Sequence, residues 1–115
     1  MLLKANHIAK SYGEHNVLSD ASLEVSAGRV SVLMGANGSG KTTLFNIISG
    51  YISHDKGEIY LDSKEISSLK PFQRKRKGIG RTFQDLRLIG DLTVLENVML
   101  AFPGQEGSYV SDLLK

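Results

Sequence analysis

The stretch GANGSGKTT, residues 35–43, decides how the rest of this chain is interpreted. It fits the phosphate-loop pattern G-x-x-x-x-G-K-[ST], from Gly35 to Gly40-Lys41-Thr42. Glycines can take backbone angles that turn consecutive N–H groups inward around a phosphate, and a helix that follows points its positive end at the same place. Lys41 supplies a mobile charge for the outer phosphates, and the Thr42 hydroxyl is a hard oxygen suited to Mg²⁺. The stretch therefore predicts a nucleoside triphosphate site.

The residues on either side supply the context that such a loop requires. Residues 29–34, RVSVLM, form a short apolar run rich in β-branched residues and predict a buried strand. After the loop, apolar residues recur at helical spacing from Leu44 to Ile48, and Gly50 stands where a helix would be capped. Strand, glycine loop and helix are thus predicted in succession.

Length and composition set broad limits. A chain of 115 residues is one domain at most, and a net charge of +2 gives no strong indication of a nucleic-acid or anionic-membrane partner. The absence of cysteine excludes a disulfide scaffold and a cysteine-based metal site. No signal peptide or membrane-length apolar stretch is visible, so we expect a soluble chain whose membrane role, if any, comes through a partner.

The segments before the loop and directly after the predicted helix look like antiparallel β-structure. Residues 2–8 and 21–25 alternate loosely between apolar and polar, and residues 57–66 predict a hairpin. A buried parallel strand ending in an Mg²⁺-binding Asp62 is the alternative there, but the alternation favours the hairpin. Tyr12, in a turn, is either a packing residue or a ring that stacks on an adenine.

Three further features follow. The four basic residues 74–77 indicate a solvated helix face rather than a phosphate patch. Residues 78–84 predict a short strand ending on Gln84, whose carboxamide suits either an ordinary loop position or contact with a metal or water. Thr93 and Glu96 form a capping box that opens a helix expected to run to Phe102.

Taken together, these landmarks resemble the ATP-binding subunits of ABC transporters. The resemblance rests on SYGEHNVL (residues 11–18), GANGSGKTT, the hairpin SGYISHDKGEIYLDSKEI (residues 49–66) and GIGRTFQDLRLIGDLTVLENVML (residues 78–100). The last stretch looks most like the branched-chain amino-acid importers. The fold it implies is α/β, a P-loop NTPase (RecA-like) core with an antiparallel β-subdomain, with residues 1–92 holding the β-subdomain and core and residues 93–115 starting a helical subdomain.

The resemblance also implies site residues, cofactors and partners. Tyr12 corresponds to the aromatic residue that stacks on adenine, and Thr42 and Gln84 correspond to ligands of Mg²⁺. Lys41 and Gln84 correspond to the residues that serve catalysis. The loop that would hold the phosphates of ATP consists of Gly35, Ala36, Asn37, Gly38, Ser39, Gly40, Lys41, Thr42 and Thr43. Residues 85–92 correspond to the contact with a transmembrane permease, a second nucleotide-binding subunit would complete a dimer, and the expected location is the cytoplasmic face of the membrane.

Other family landmarks have no counterpart in the sequence. It contains no LSGGQ signature, no apolar strand ending in Asp-Glu and no switch histidine; His7, His15 and His54 fall where the resemblance assigns no catalytic role, and we expect turn or surface roles for them. The resemblance thus covers the N-terminal part of a nucleotide-binding domain, truncated before the signature and the Walker B strand. We expect binding of ATP-Mg²⁺ with little hydrolysis by this chain alone.

Alternative functions remain open at the level of sequence. The chain could be a non-catalytic ATP-binding module that regulates a complete ATPase subunit. A P-loop GTPase or small-molecule kinase is disfavoured by the lack of an Asn-Lys-x-Asp motif. A DNA-repair member of the same superfamily is disfavoured by the lack of a long coiled-coil insertion, so no nucleic-acid partner is expected.

Overall fold

The computed structural model describes residues 2–82 and 88–100, and the chain divides into two compact units, Met1–Arg81 and Thr82–Lys115. The first unit contains four strands and two helices, and the described part of the second contains one helix. In chain order the elements are β1 (Leu3–Tyr12), β2 (His15–Val25), α1 (Lys41–Ser49), β3 (Lys56–Leu61), β4 (Lys64–Glu65), α2 (Pro71–Arg76) and α3 (Val94–Met99).

The four strands form one antiparallel sheet in the order β2-β1-β3-β4. This confirms the predicted antiparallel structure before the loop. Apolar side chains of β1, β2 and β3 and of helix α1 form a common core, which includes the fully buried Ile8, Ile47 and Ile59. Helix α1 is thereby held against the sheet, and the start of that helix is fixed relative to β2.

The predicted hairpin is also present. Strands β3 and β4 pair antiparallel through a turn in which Asp62 and Ser63 both have positive φ, 48° and 67°. Positive φ at both central residues gives a two-residue turn the twist that matches the right-handed twist of the two flanking strands. The Asp62 carboxylate accepts a hydrogen bond from the Leu2 N–H at 2.8 Å. The hairpin interpretation was therefore right, and the buried parallel strand was wrong for this segment.

The run 29–34 does not form the predicted strand. No residue of this run has strand hydrogen bonding, and the side chains of Val30, Val32 and Met34 are 94%, 77% and 85% exposed. A buried parallel strand needs a neighbour on at least one edge, and no strand of the described sheet pairs with this run. The prediction was wrong because an apolar pattern shows that a segment suits burial, not that a partner is present.

Residues 78–82 likewise contain no strand, and the rest of that predicted segment, Phe83 and Gln84, lies outside the described residues. Arg81 contacts the α1 region: its Nη1 donates to Asn46 Oδ1 at 2.5 Å, and its guanidinium lies 5.6 Å from the ring centroid of Tyr51. The segment is thus held by side-chain contacts instead of a ladder of backbone hydrogen bonds.

Arg74 departs from the predicted solvated face. Lys75, Arg76 and Lys77 are exposed as expected, but Arg74 retains only 3% exposure. Its Nη1 donates to the carbonyl oxygens of Ile47 and Ile48, at 2.6 and 2.8 Å. Nε and Nη2 donate to two further carbonyl oxygens, those of residues 69 and 67, both at 2.9 Å. The prediction was wrong here because only the tertiary packing of α2 shows which basic residue faces inward.

The Arg74 guanidinium completes the C-terminal end of helix α1. This end has no basic residue of its own and is terminated by Gly50, which has φ 88°. A cation there complements the negative end of the helix dipole and occupies carbonyl groups that lack partners within the helix. Burial lowers the pKa of Arg74 through desolvation, but a guanidinium stays protonated near neutral pH. The buried charge is therefore balanced by backbone dipoles.

In the second unit, helix α3 begins with the predicted capping box. Thr93 Oγ1 accepts from the Glu96 N–H at 3.2 Å, and Glu96 Oε2 accepts from the Thr93 N–H at 2.7 Å. The helix ends at Met99 with Leu100 as C-cap. The last two residues of the predicted helix, Ala101 and Phe102, lie outside the described part. No helix in the described ranges has the length and apolar character required to cross a bilayer.

We expect Arg74→Met to lower the free energy of unfolding by about 2–4 kcal/mol, because four carbonyl groups lose a charged donor in a buried position. Arg74→Lys should recover only part of this loss, since an ammonium group lacks the planar fork that reaches all four oxygens. Denaturant unfolding measures both effects. Lys75→Met, at an exposed neighbouring position, is the matched control; equal midpoint shifts for Arg74→Met and Lys75→Met would contradict the assignment.

Candidate functional site

The loop at residues 35–43 has the conformation that its glycines predict, with one difference. Gly38 and Gly40 have φ of 85° and 94°, in the left-handed region, whereas Gly35 does not have a positive φ. A Cβ on Gly35 would lie 2.6 Å from Ser39 Oγ, so a side chain here would displace the Ser39 side chain, and glycine serves this position through space instead of angle. The Ser39 N–H donates to the Ala36 carbonyl oxygen at 3.1 Å and closes the turn.

Lys41 folds back over this turn. Its ammonium donates to the carbonyl oxygens of Gly35 and Ala36, the latter at 2.9 Å, and lies 3.4 Å from Ser39 Oγ. These are hydrogen bonds to neutral groups and involve a flexible side chain. An anionic oxygen is a stronger acceptor for an ammonium than a carbonyl group is. Lys41 is thus placed at the loop and can exchange these contacts for contacts with phosphate.

The loop and the start of helix α1 line a cavity of about 280 Å³. The lining residues are His15, Val17, Asn37, Gly38, Gly40, Lys41, Thr42 and Thr43. Six of these eight were predicted from sequence to bind nucleotide, and none of the eight is acidic. The structure therefore gathers most of the predicted phosphate-binding residues around one space with no fixed negative charge in its lining.

The N-terminal end of helix α1 lies at this site and presents backbone N–H groups that no side chain caps. Gly40 is the N-cap residue, no side chain caps the helix, and the first turn contains no acidic residue. The first N–H groups of a helix have no partner within it, and they carry the positive end of the helix dipole. This end of α1 can consequently donate several hydrogen bonds to an anion.

The position of the loop is fixed by its contact with strand β2. A Cβ on Gly40 would lie 3.2 Å from the Val17 carbonyl oxygen and 2.7 Å from Leu18 Cδ2. Leu18 belongs to the buried core, so the start of α1 rests directly against the sheet. Glycine permits this approach without displacing Val17 or Leu18.

Tyr12 lies at the end of β1 beside the cavity and is not among its lining residues. It pairs across the β1–β2 turn with His15, which does line the cavity. The Tyr12 ring is 51% exposed, and the Lys10 ammonium lies 5.0 Å from the ring centroid. The ring is therefore accessible at the same end of the sheet as the phosphate loop.

The predicted Mg²⁺ ligands are only partly described. Thr42 lines the cavity, while Gln84 lies outside the described residues. Within the ranges 2–82 and 88–100, no three acidic or histidine side chains form a metal-binding group. Any metal held at Thr42 would therefore need ligands from elsewhere, such as phosphate oxygens.

His15 is a cavity residue that the sequence reasoning did not identify. We expected a turn or surface role, and His15 is exposed at the first position of β2, directly after the turn. The structure also places it on the wall of the phosphate-loop cavity. The available signal was strand alternation: His15 and Val17 are two residues apart on β2 and so project to the same face. That signal becomes informative only once the position of β2 beside the loop is known.

A second concavity, of about 400 Å³, lies between the sheet and the exposed run 29–34. Its lining is mostly apolar and includes Val32, Leu33 and Phe45. The charged side chain in the lining belongs to Glu24, an anion. This groove is unsuited to phosphate, in contrast to the cavity at the loop.

Comparison with known proteins agrees with this geometry. The family model described as ABC transporter matches residues 18–115. A probable branched-chain amino acid transport ATP-binding protein, LivG, of Methanocaldococcus jannaschii is 38% identical over 99 residues, which cover 86% of this chain and 38% of the relative. The lipopolysaccharide export system ATP-binding protein LptB of Haemophilus influenzae is 41% identical over 98 residues, covering 85% of this chain and 41% of the relative. The chain thus spans about two fifths of the length of these relatives.

Solved structures give the same result. An ATP-binding cassette of an ABC transporter, solved in its ADP conformation, superposes with a TM-score of 0.79 at 38% sequence identity, covering 86% of this chain and 39% of the other. A nucleotide-free ATP-binding cassette superposes with a TM-score of 0.79 at 35% identity over 98% of this chain and 45% of the other. The predicted fold class, a P-loop core with an antiparallel β-subdomain, is thereby confirmed.

We expect Gly40→Ala to be more destabilising than Gly38→Ala. Both substitutions place a Cβ at positive φ, which costs about 1–2 kcal/mol. At Gly38 nothing lies within 4 Å of the new atom, whereas at Gly40 the atom meets Val17 and Leu18, which adds about 1–3 kcal/mol. Denaturant midpoints compare the two variants. Equal losses would show that Gly40 is not in close contact with β2.

Proposed function

Because the chain belongs to the family of ABC transporter ATP-binding proteins, we propose that it binds ATP with Mg²⁺ as part of an energy-coupling ATPase subunit. The observation that carries this proposal is the cavity in which Lys41 and the uncapped start of helix α1 face the same space. The cavity presents donors and no acidic side chain, which is the chemistry that a polyphosphate requires.

The residues around the cavity have separate roles in this proposal. The N–H groups of the loop and of the first turn of α1 hold the phosphates, and Lys41 leaves its carbonyl contacts to bind the outer phosphates. The Thr42 hydroxyl and the Gln84 carboxamide are the ligands we propose for Mg²⁺, which when bound would neutralise phosphate charge. Tyr12 stacks on the adenine, with its accessible ring at the same end of the sheet as the phosphate loop.

Hydrolysis requires a group that orients and deprotonates water. The described lining of the cavity contains no carboxylate, and the sequence has no Asp-Glu pair following an apolar strand. We therefore propose that this chain binds ATP-Mg²⁺ with negligible turnover on its own. A second nucleotide-binding subunit would complete the site in a dimer.

The second unit supports a proposal about the permease. Asn97 on helix α3 fastens the preceding loop: its Oδ1 accepts from the Ile89 N–H at 2.9 Å, and its Nδ2 donates to the Thr93 carbonyl oxygen at 2.9 Å. The loop and helix together line an apolar concavity of about 360 Å³ that includes Leu88, Ile89 and Val98. We propose that this surface, within and beside residues 85–92, receives the transmembrane permease at the cytoplasmic face of the membrane, where the subunit is peripheral.

The transported solute follows from similarity alone. One relative is named for branched-chain amino acids, another for lipopolysaccharide, and a relative in Rhizobium johnstonii, 37% identical over 102 residues, for ribose import. The match to the ribose-import relative covers 89% of this chain and 20% of that relative. We propose import of amino acids or a similar small solute, because residues 78–100 look most like the branched-chain amino-acid type.

The proposal predicts binding without turnover. We expect ATP-Mg²⁺ to bind the chain measurably in titration calorimetry and Lys41→Ala to weaken binding roughly tenfold to a hundredfold, since charge-assisted hydrogen bonds are lost. Lys64→Ala, in the exposed hairpin, is the matched control and should leave the affinity unchanged. Phosphate release should stay at the background rate. Sustained Lys41-dependent release would refute the proposed lack of turnover, and absence of binding would refute the proposed function.

A preformed permease surface predicts a rigid loop before α3. Asn97→Ala removes the acceptor of the Ile89 N–H, so we expect hydrogen exchange at that amide to become about tenfold faster or more, through loss of a hydrogen bond of about 1.5 kcal/mol. Val94→Ala, at a position 82% exposed on the same helix, is the control. Unchanged exchange at Ile89 in Asn97→Ala would show that Asn97 does not hold the loop.

A further inference from the structure

The phosphate-loop cavity has a second wall, formed by strand β2, and the proposed function gives the side chains of this wall no role. Val17 and His15 supply that wall. The Val17 carbonyl oxygen lies 3.2 Å from the Cβ position of Gly40 at the start of α1. His15 lies two residues before Val17 on the strand, a distance of about 7 Å. An imidazole at this position can reach a ligand that lies over the first turn of the helix.

The three histidines of the chain differ in their contacts. His7 Nδ1 lies 2.8 Å from Asp20 Oδ1, and His54 Nε2 lies 2.9 Å from the Gly57 carbonyl oxygen. The His15 side chain has no hydrogen-bond or ion-pair partner among the residues that the structure describes. Within residues 2–82 and 88–100, neither ring nitrogen is therefore occupied, and His15 is exposed on the cavity wall.

The charge in the cavity favours an anion at this position. Lys41 and His15 are the ionisable side chains among the lining residues, and no carboxylate of the lining competes for them. A neutral imidazole offers one N–H donor and a protonated imidazole offers two, so His15 can donate to a phosphate oxygen in either state. The other β2 residue of the wall, Val17, has an apolar side chain, which cannot donate a hydrogen bond.

We propose that the His15 imidazole donates a hydrogen bond to the phosphate chain of the bound nucleotide, opposite the N–H groups of the loop. This inference rests on the proposed function, since it assumes that the cavity holds a polyphosphate. It assigns a binding role to strand β2 that the loop motif does not contain. The phosphates are then bound by groups from two elements, helix α1 and strand β2, which contact each other at Gly40.

The three histidines give a direct test by NMR. In the ¹⁵N-labelled chain, the ring signals of His15 should move on addition of ATP-Mg²⁺ and also on addition of inorganic triphosphate, while the signals of His7 and His54 stay in place as internal controls. Adenosine should leave His15 unmoved. A His15 shift with adenosine but not with triphosphate would overturn the phosphate assignment in favour of the base or sugar.

Affinity measurements with variants complete the test. We expect His15→Ala to weaken ATP binding about three- to tenfold, as the loss of one hydrogen bond predicts, and His15→Gln to restore part of it through its amide donor. His7→Asn is the matched control and should bind ATP normally, because asparagine tolerates the φ of 52° at that position. Normal affinity of His15→Ala, with binding still dependent on Lys41, would overturn this inference alone. Absence of any ATP binding by the unmodified chain would overturn the proposed function together with it.

Discussion

The packing of helix α1 on the antiparallel sheet is the constraint on which the rest of the first unit depends. Ile47 of this helix is fully buried in the core that the helix shares with the sheet. This packing determines what each end of the helix contacts. At the N-terminal end, Gly40 touches β2 and leaves the first N–H groups without a side-chain cap. At the C-terminal end, Gly50 and Arg74 satisfy the carbonyl groups. One end is thus completed by the protein, and the other keeps its donors for an anion.

Sequence patterns predicted the features that depend on local chemistry. The phosphate loop, the glycine cap at Gly50, the β3–β4 hairpin and the capping box of Thr93 each require particular residue types over a few positions, so they can be recognised without tertiary information. Most of the predicted phosphate-binding residues indeed surround one cavity. The roles of Tyr12 and Gln84 stay predictions, as does the division of the chain near residue 92.

The features that sequence could not predict depend on partners distant in the chain. Residues 29–34 have the composition of a buried strand, but burial requires a neighbouring strand, and a pattern carries no information about the neighbour. Arg74 looks like the other residues of its basic run until the packing of α2 turns it toward α1. The sequence predicted a turn or surface position for His15 but not its place in the cavity lining, which depends on the position of β2 beside the loop. In each case the missing information was a tertiary contact.

Arg74 recognises main-chain oxygens and no side chain of the helix that it completes. The contacts themselves therefore set no requirement on the side chains at the four contacted positions, although Ile47 and Ile48 are constrained separately by the core. Arg74 itself has no such freedom, because no other side chain provides the same fork of donors. The constraint that this contact places on sequence is consequently one-sided: it specifies Arg74, and it specifies no partner side chain that would have to change together with Arg74.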